Sequence, residues 1–127
     1  MSPIHHVSFS VTNVANSADW YQKLLGKAQV LERQGEGWTR IRLDWPTGLV
    51  ISLTQHDETQ IKDQFSHLRV GLDHISLICK NADEVRNWHS KLSELEFEHG
   101  PLEDVAYGCA VTARDPDGIP IEFFCAK

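Results

Sequence analysis

Two histidines in this sequence stand at the same place in two similar strand-like segments. "PIHHVSFSVTN" (3–13) and "GLDHISLICKN" (71–81) align at an offset of 68 positions, which places His74 on His6. An imidazole on a strand can bind a metal ion or move a proton, or it can be a half-buried structural side chain. The repetition of the histidine raises the possibility that the two rings act together.

The two segments belong to a longer internal repeat. At the same offset Trp20 falls on Trp88. A second block aligns at an offset of 70 positions, with "DWPTGLVISL" (44–53) over "RDPDGIPIEF" (114–123). Two matching blocks in the same order indicate duplication of one module of about sixty residues, which is too long and too rarely repeated for a solenoid.

The elements that must position the histidines follow the same βαβββ order in both modules, which predicts an α+β fold. The whole chain, 1–127, is expected to form a single domain. Module one covers about 1–54, a polar linker with a short helical piece covers about 55–70, and module two covers about 71–127.

Local signals set the expected bounds of these elements. Asn16 or Ser17 is the candidate N-cap of the first helix, and Gly26 is its expected end. "DPDG" at 115–118 predicts the tight turn of a hairpin. The predicted strands lie near 4–11, 28–33, 38–44, 48–54, 72–79, 97–99, 106–113 and 119–125, and the second helix near 82–95.

Composition and charge argue against several classes of function. The 127 residues are 41% hydrophobic and 24% charged, close to a soluble globular average. The net charge is −6 and no basic stripe occurs, so nucleic acid is not an expected partner. The sequence has neither an apolar run of bilayer length nor a signal peptide, so we expect no membrane partner and a cytoplasmic location. Cys79, Cys109 and Cys125 are expected to be buried free thiols in a reducing compartment.

Strand alternation assigns the polar side chains to one face of each sheet. Successive strand residues point to opposite faces, so the apolar positions must lie under the helices. The residues between them then face the other way. This rule places four polar side chains on the faces opposite the helices: His6, Ser52, His74 and Glu122.

A duplicated βαβββ chain with "HHVSFSV", "LDHISLI" and a terminal "DPDGIPIEFF" resembles the vicinal oxygen chelate superfamily, which includes glyoxalase I, extradiol dioxygenases and bleomycin-resistance proteins. The resemblance implies a glyoxalase/dihydroxybiphenyl dioxygenase-like half-barrel with one divalent metal ion, Fe, Mn, Zn or Ni, on its concave face. It also implies that His6, His74 and Glu122 are the metal ligands, and that Glu122 is in addition a catalytic residue. Two histidines and one carboxylate leave coordination positions open for a substrate.

Ser52 occupies the position at which glyoxalase I and the epimerases of this superfamily carry Glu or Gln. A serine hydroxyl is short and a poor ligand, so we expect Ser52 to contact substrate or to support the ligands. The three-ligand pattern is instead similar to that of the extradiol dioxygenases and the fosfomycin-resistance proteins.

Further substrate-binding candidates lie on the same faces. Arg40 and Arg42 could clamp a carboxylate or phosphate, or they could form salt bridges with Asp44 or another acid. Trp38 shares their parity and could line the pocket or cover the surface. Tyr107, in a predicted strand before Gly108, could donate a proton to substrate or merely pack.

Two classes of function follow from the resemblance. The first is a divalent-metal-dependent enzyme, a lyase, dioxygenase or small-molecule transferase, whose small substrate chelates the metal through vicinal oxygens. The second is a non-catalytic protein of the bleomycin-resistance type that binds or sequesters a small molecule. Exposed edge strands and an open cavity favour a homodimer, with each metal site either within one chain or shared between two.

Overall fold

The computed structural model describes residues 3–58 and 63–127. The chain divides into two compact units, Met1–Asp63 and Gln64–Lys127. The described part of each unit contains one four-stranded sheet and one helix, in the order βαβββ. The predicted α+β class and the duplicated module are therefore confirmed.

In the first unit the strand order is β1-β4-β3-β2, with β1 parallel to β4 and the other neighbours antiparallel. The parallel pair is possible because helix α1 connects the first strand to the rest of the sheet. The elements are β1 (Val7–Ser10), α1 (Val14–Leu25), β2 (Gln29–Gly35), β3 (Trp38–Asp44) and β4 (Val50–His56).

The second unit repeats this arrangement in the order β5-β8-β7-β6, again with its first and last strands parallel. The elements are β5 (Ile75–Ile78), α2 (Ala82–Glu94), β6 (Glu103–Val105), β7 (Gly108–Arg114) and β8 (Pro120–Ala126). His6 and His74 each lie directly before the first strand of their unit.

Both helices begin after an asparagine. The Oδ1 atom of Asn13 accepts a hydrogen bond from the Asn16 backbone N–H at 3.0 Å, and Asn81 caps α2 in the same way at 2.9 Å. The predicted caps at Asn16 or Ser17 are wrong, because Asn13 already has the extended backbone of a cap and Ser17 is a buried helical residue. The predicted end at Gly26 is confirmed, since its φ of 93° stops α1.

The buried side chains follow the predicted alternation. The helix-facing positions of the last strand of each unit, such as Ile51 and Ile121, are almost completely buried. Trp20 is also buried, while Trp88 is half-buried and stacks on Phe123 with ring centroids 4.3 Å apart. Apolar contact between helix and sheet therefore fixes which side chains face away from the helices.

The turn predicted at 115–118 is confirmed, and it connects β7 to β8. The Oδ1 atom of buried Asp115 accepts hydrogen bonds from the backbone N–H groups of Asp117 and Ile119, both at 2.9 Å. The first unit makes the equivalent turn at 45–48, and the indole N–H of Trp45 donates to the Gly26 carbonyl at 2.8 Å. These contacts hold the last strand of each unit in register.

Some predicted bounds differ from the structure. The strand expected near 97–99 is reduced to one isolated bridge between His99 and Ala113, and β6 forms only after Pro101. Proline has no N–H to donate to the ladder, so regular pairing resumes beyond it. The helical piece expected in the linker falls partly on 59–62, outside the described residues. The described linker residues from 63 to 70 contain turns and no helix.

Within the described residues, no helix has the length and apolar character needed to cross a membrane.

Candidate metal and substrate site

The second unit brings together two of the three predicted metal ligands. His74 Nε2 and Glu122 Oε1 are 3.8 Å apart, with His74 directly before β5 and Glu122 on β8. Their side chains are 44% and 23% exposed, so both are accessible to a ligand. Parallel pairing of β5 with β8 places them side by side on the face opposite α2.

Two neighbouring residues orient these donors. The Oδ1 atom of Asp73 lies 2.6 Å from His74 Nδ1, which leaves Nε2 directed towards Glu122. This hydrogen bond from His74 lowers the pKa of the Asp73 carboxyl below its ordinary value. The Ser76 hydroxyl donates to Glu122 Oε1 at 2.7 Å. In metal sites a histidine ligand usually donates its other ring N–H to a carboxylate, and this hydrogen bond fixes the orientation of the ring.

A cavity of about 460 Å³ opens beside this pair. Its lining is rich in acidic side chains and also includes the cationic side chain of Arg114. The Arg114 guanidinium donates to the Gly118 carbonyl at 3.3 Å. The cavity surface suits a cation. Its acidic lining residues are Asp73, Glu98, Glu103 and Glu122.

The first unit contains a cavity of about 200 Å³ with the opposite charge, and it includes four of the predicted site residues. Ser52 is buried there and lies opposite Arg42 in the β3–β4 ladder. The His6 Nδ1 atom lies 2.9 Å from Nδ1 of His5. The residues lining this cavity are His6, Leu31, Arg33, Arg40, Arg42 and Ser52.

The two predicted arginines have different partners. Arg42 forms a two-pronged ion pair with Asp44, at 2.7 and 2.9 Å. That hydrogen bonding raises the pKa of Arg42 and lowers the pKa of Asp44. Arg40 donates to the Thr54 hydroxyl at 2.9 Å, and its guanidinium lies 4.5 Å from the ring centroid of Trp38. The salt-bridge alternative therefore describes Arg42, whereas Arg40 has no such acidic partner among the residues that the structure describes.

Tyr107 lies in the turn between β6 and β7, so its predicted place in a strand is wrong. The Val105–Gly108 pair closes the hairpin and leaves Tyr107 at its tip. Its side chain is 72% exposed, and its ring is 6.5 Å from that of Phe124.

Three residues of these sites were missed from the sequence. Asp73 and Ser76 support the second-unit donors, and Arg33 lines the first-unit cavity. A signal for Ser76 was present, since it aligns with Ser8 in the repeat and shares the parity of His74. Arg33 gave no such signal, because every residue of β2 is exposed and no apolar alternation marks its faces.

The donors of the second unit suit a divalent ion. Two ligands that each lie ~2.1 Å from one ion, at a right or tetrahedral angle, are ~3.0–3.4 Å apart. The 3.8 Å between His74 Nε2 and Glu122 Oε1 is slightly longer than that range, so the two side chains would have to move closer to share an ion. Among residues 3–58 and 63–127, no group of three or more His, Cys, Asp or Glu side chains could by itself hold a metal ion.

A duplicated βαβββ module with polar donors on the faces opposite its helices defines the glyoxalase-like class of proteins. The chain belongs to the Glyoxalase/Bleomycin resistance protein/Dioxygenase superfamily, whose family model matches residues 3–123. A comparison with curated protein sequences finds no significant match.

Solved structures agree with this assignment. The chain is similar to the glyoxylase/bleomycin resistance protein/dioxygenase domain from Frankia sp. EAN1pec, with 26% identity, a TM-score of 0.91, and coverage of 100% of this chain and 93% of that one. It is similar in fold to a glyoxalase family protein from Enterococcus faecalis, with 23% identity, a TM-score of 0.77 and 96% coverage of both chains.

The fold is also similar to that of a mutant of FosX, a fosfomycin resistance protein from Listeria monocytogenes. That protein was crystallised with Mn(II) and 1S,2S-dihydroxypropylphosphonic acid. The identity is 17% and the TM-score is 0.71, over 97% of this chain and 89% of that one.

Proposed function

We propose that this protein is a divalent-metal-dependent enzyme whose small substrate binds the metal through two neighbouring oxygens. The observation that carries the proposal is the Asp73–His74–Glu122 arrangement in the second unit. His6 would complete the ligand set, from the same chain or from a partner chain. FosX, which shares the fold, supports the proposal through its complex with Mn(II).

The residues of the second unit have distinct roles in this proposal. A bound divalent ion would act as a Lewis acid on the substrate oxygens. Asp73 fixes the ring of His74 so that Nε2 stays available. Ser76 holds Oε1 of Glu122, and the other carboxylate oxygen can accept a proton from the substrate. Glu122 thus combines the roles of ligand and general base.

A non-catalytic binding protein is the second candidate, and a specific observation favours it. The cationic cavity of the first unit could hold a small anion without any reaction. Metal affinity separates the two candidates, because a binder of this kind needs no ion.

The three cysteines, all buried and free, support the proposal of a reducing, cytoplasmic location for either candidate function.

Metal titration tests the enzyme proposal. Mn(II) and Zn(II) would be titrated calorimetrically into chelator-treated, untagged protein, and His74→Ala and Glu122→Gln should each weaken binding about a hundredfold. Glu94→Gln is the matched control, because it removes an exposed carboxylate from α2. Equal affinity in wild type and both site variants would refute the assigned ligands, and absence of any affinity would favour the binder.

Substrate screening then assigns the reaction class. The metal-loaded protein would be tested on catechols, epoxides and thiohemiacetals while dissolved oxygen is recorded. Oxygen use with a catechol identifies a dioxygenase, and turnover without oxygen use identifies a lyase, isomerase or transferase. Activity that persists in Glu122→Gln would contradict the role of Glu122 as the base.

A further inference from the structure

Two arginines face each other across the β2–β3 ladder of the first unit. Arg33 is the direct partner of Arg40 in this antiparallel pairing. Directly opposite residues share a face, with their Cβ atoms ~5 Å apart, and like charges in such a pair are destabilising. Ile41 and Leu43 are buried, so the arginine pair lies on the face opposite α1. The arrangement therefore has a free-energy cost for folding.

The described neighbours of the pair leave its charge uncompensated. Asp44 is already paired with Arg42, so it does not neutralise the other two arginines. Arg40 contacts the neutral Thr54 hydroxyl and the Trp38 ring. The Arg33 side chain is exposed and forms no ion pair or hydrogen bond with any residue that the structure describes. Two positive charges thus converge in a chain whose net charge is −6.

The fold itself does not require arginines on the strand β3. At the repeat offset of 70 positions, Arg40 and Arg42 correspond to Ala110 and Thr112 of β7. The second unit builds the same sheet with these small residues. A purely architectural role for Arg40 is therefore disfavoured, and the cationic cavity is specific to the first unit.

We propose that Arg33 and Arg40 form a subsite for a compact oxyanion, phosphoryl or carboxylate, carried by the ligand of this protein. Guanidinium groups match such anions because their N–H donors form parallel hydrogen bonds to two oxygens. Ser52, which is buried, and His6, which is exposed, line the same cavity of about 200 Å³, which has room for a group of this size. The identification of the anion as part of an enzyme substrate rests on the proposed function, but anion binding itself needs no metal.

Titration of metal-free protein tests this subsite separately from the metal site. Inorganic phosphate and acetate would be added at constant ionic strength to protein that has been freed first of metal and then of chelator, and backbone amide NMR shifts would be followed. We expect saturable binding of at least one anion. If phosphate binds more tightly than acetate, the subsite prefers a phosphoryl group to a carboxylate. Arg33→Gln and Arg40→Gln should each weaken binding about tenfold. Arg86→Gln, which removes an exposed arginine on α2, should leave it unchanged.

Thermal unfolding supplies a second readout. If Arg33 had a purely structural role, Arg33→Gln would be less stable than wild type. Without phosphate, Arg33→Gln should be at least as stable as wild type, because it removes the repulsion between the arginines. Absence of saturable binding by either anion, or an equal loss in Arg86→Gln, would overturn the subsite. A failed metal titration together with successful phosphate binding would remove only the enzyme proposal.

Discussion

At the residue scale, several contacts support the proposed metal ligands. Among them, we expect metal affinity to depend most on the Asp73–His74 hydrogen bond. Asp73→Asn keeps the side-chain shape but removes the charge that orients and polarises the imidazole. We expect Mn(II) affinity to fall about ten- to a hundredfold. Asp83→Asn is the control, because Asp83 pairs with Arg86 on the exposed surface of α2. Equal affinities in the two variants would show that Asp73 does not act on the metal.

A buried thiol gives a second residue-scale prediction, for stability against pH. Burial, with a smaller contribution from Glu84, raises the pKa of Cys79 from 9.0 to about 11. Between these values the folded protein retains a proton that the unfolded chain releases, so the free energy of unfolding falls as pH rises. Urea unfolding from pH 8 to pH 11 should show a steeper loss in wild type than in Cys79→Ala. Parallel profiles would contradict the assignment.

The sequence indicated the faces of some candidate residues and not of others, for a physical reason. The faces of His6, His74 and Glu122 were predictable because apolar residues alternate with them along their strands. Their assignment as metal ligands came from the family resemblance and stays a prediction. Arg33 lies on an edge strand without buried residues, so only its register with β3 reveals its face. Asp73 precedes its strand, and its contact with His74 depends on a side-chain geometry that no periodicity encodes.

At the element scale, the two asparagine caps should contribute equally to stability. Asn13→Ala and Asn81→Ala each leave a helix N–H without its acceptor, which typically costs about 1 kcal/mol. Asn16→Ala is the informative control, because Asn16 takes part in the first cap only through its backbone. Urea denaturation should find that variant unchanged or slightly stabilised, and a loss equal to that of Asn13→Ala would contradict the assignment of the cap.

Close packing at the start of β7 gives a second element-scale prediction. A Cβ atom on Gly108 would lie 2.5 Å from the Phe124 ring and 2.6 Å from the Cys125 carbonyl oxygen. Gly108→Ala should therefore destabilise the protein by about 1–3 kcal/mol, since the strand β8 must shift. Gly100→Ala has open space around it and serves as the control. A similar melting temperature for the two variants would show that β8 yields without cost.

The caps also show how far element positions follow from sequence. The alignment of Asn81 with Asn13 already contained the signal, but the first helix was predicted to begin at Asn16 or Ser17. Val14 is in fact a buried residue of the first helical turn. Strand and helix order were predictable because both patterns occur twice, whereas the position of β6 depended on one proline that interrupts a ladder.

At the scale of the whole molecule, duplication has produced two units with the same sheet but with cavities lined by opposite charges. Where β8 carries Glu122 the first unit has Ser52, and where β3 carries Arg42 the second unit has Thr112. In both units these pairs are direct partners in the antiparallel ladder. One framework can therefore offer an acidic face in one unit and a cationic face in the other.

The last prediction concerns assembly. Exposed apolar side chains occur on the edge strands β2 and β5, at Leu31 and Ile78, where a partner chain could cover them. We predict a two-fold homodimer in which His6 of one chain joins His74 and Glu122 of the other. Mixing His6→Ala chains with Glu122→Ala chains should then restore Mn(II) binding to about a quarter of the wild-type sites, because random pairing gives half heterodimers with one intact site each. If each chain builds its own site, mixing the two variants should restore no Mn(II) binding. A protein that sediments as a monomer at micromolar concentration while holding its metal would exclude the shared site.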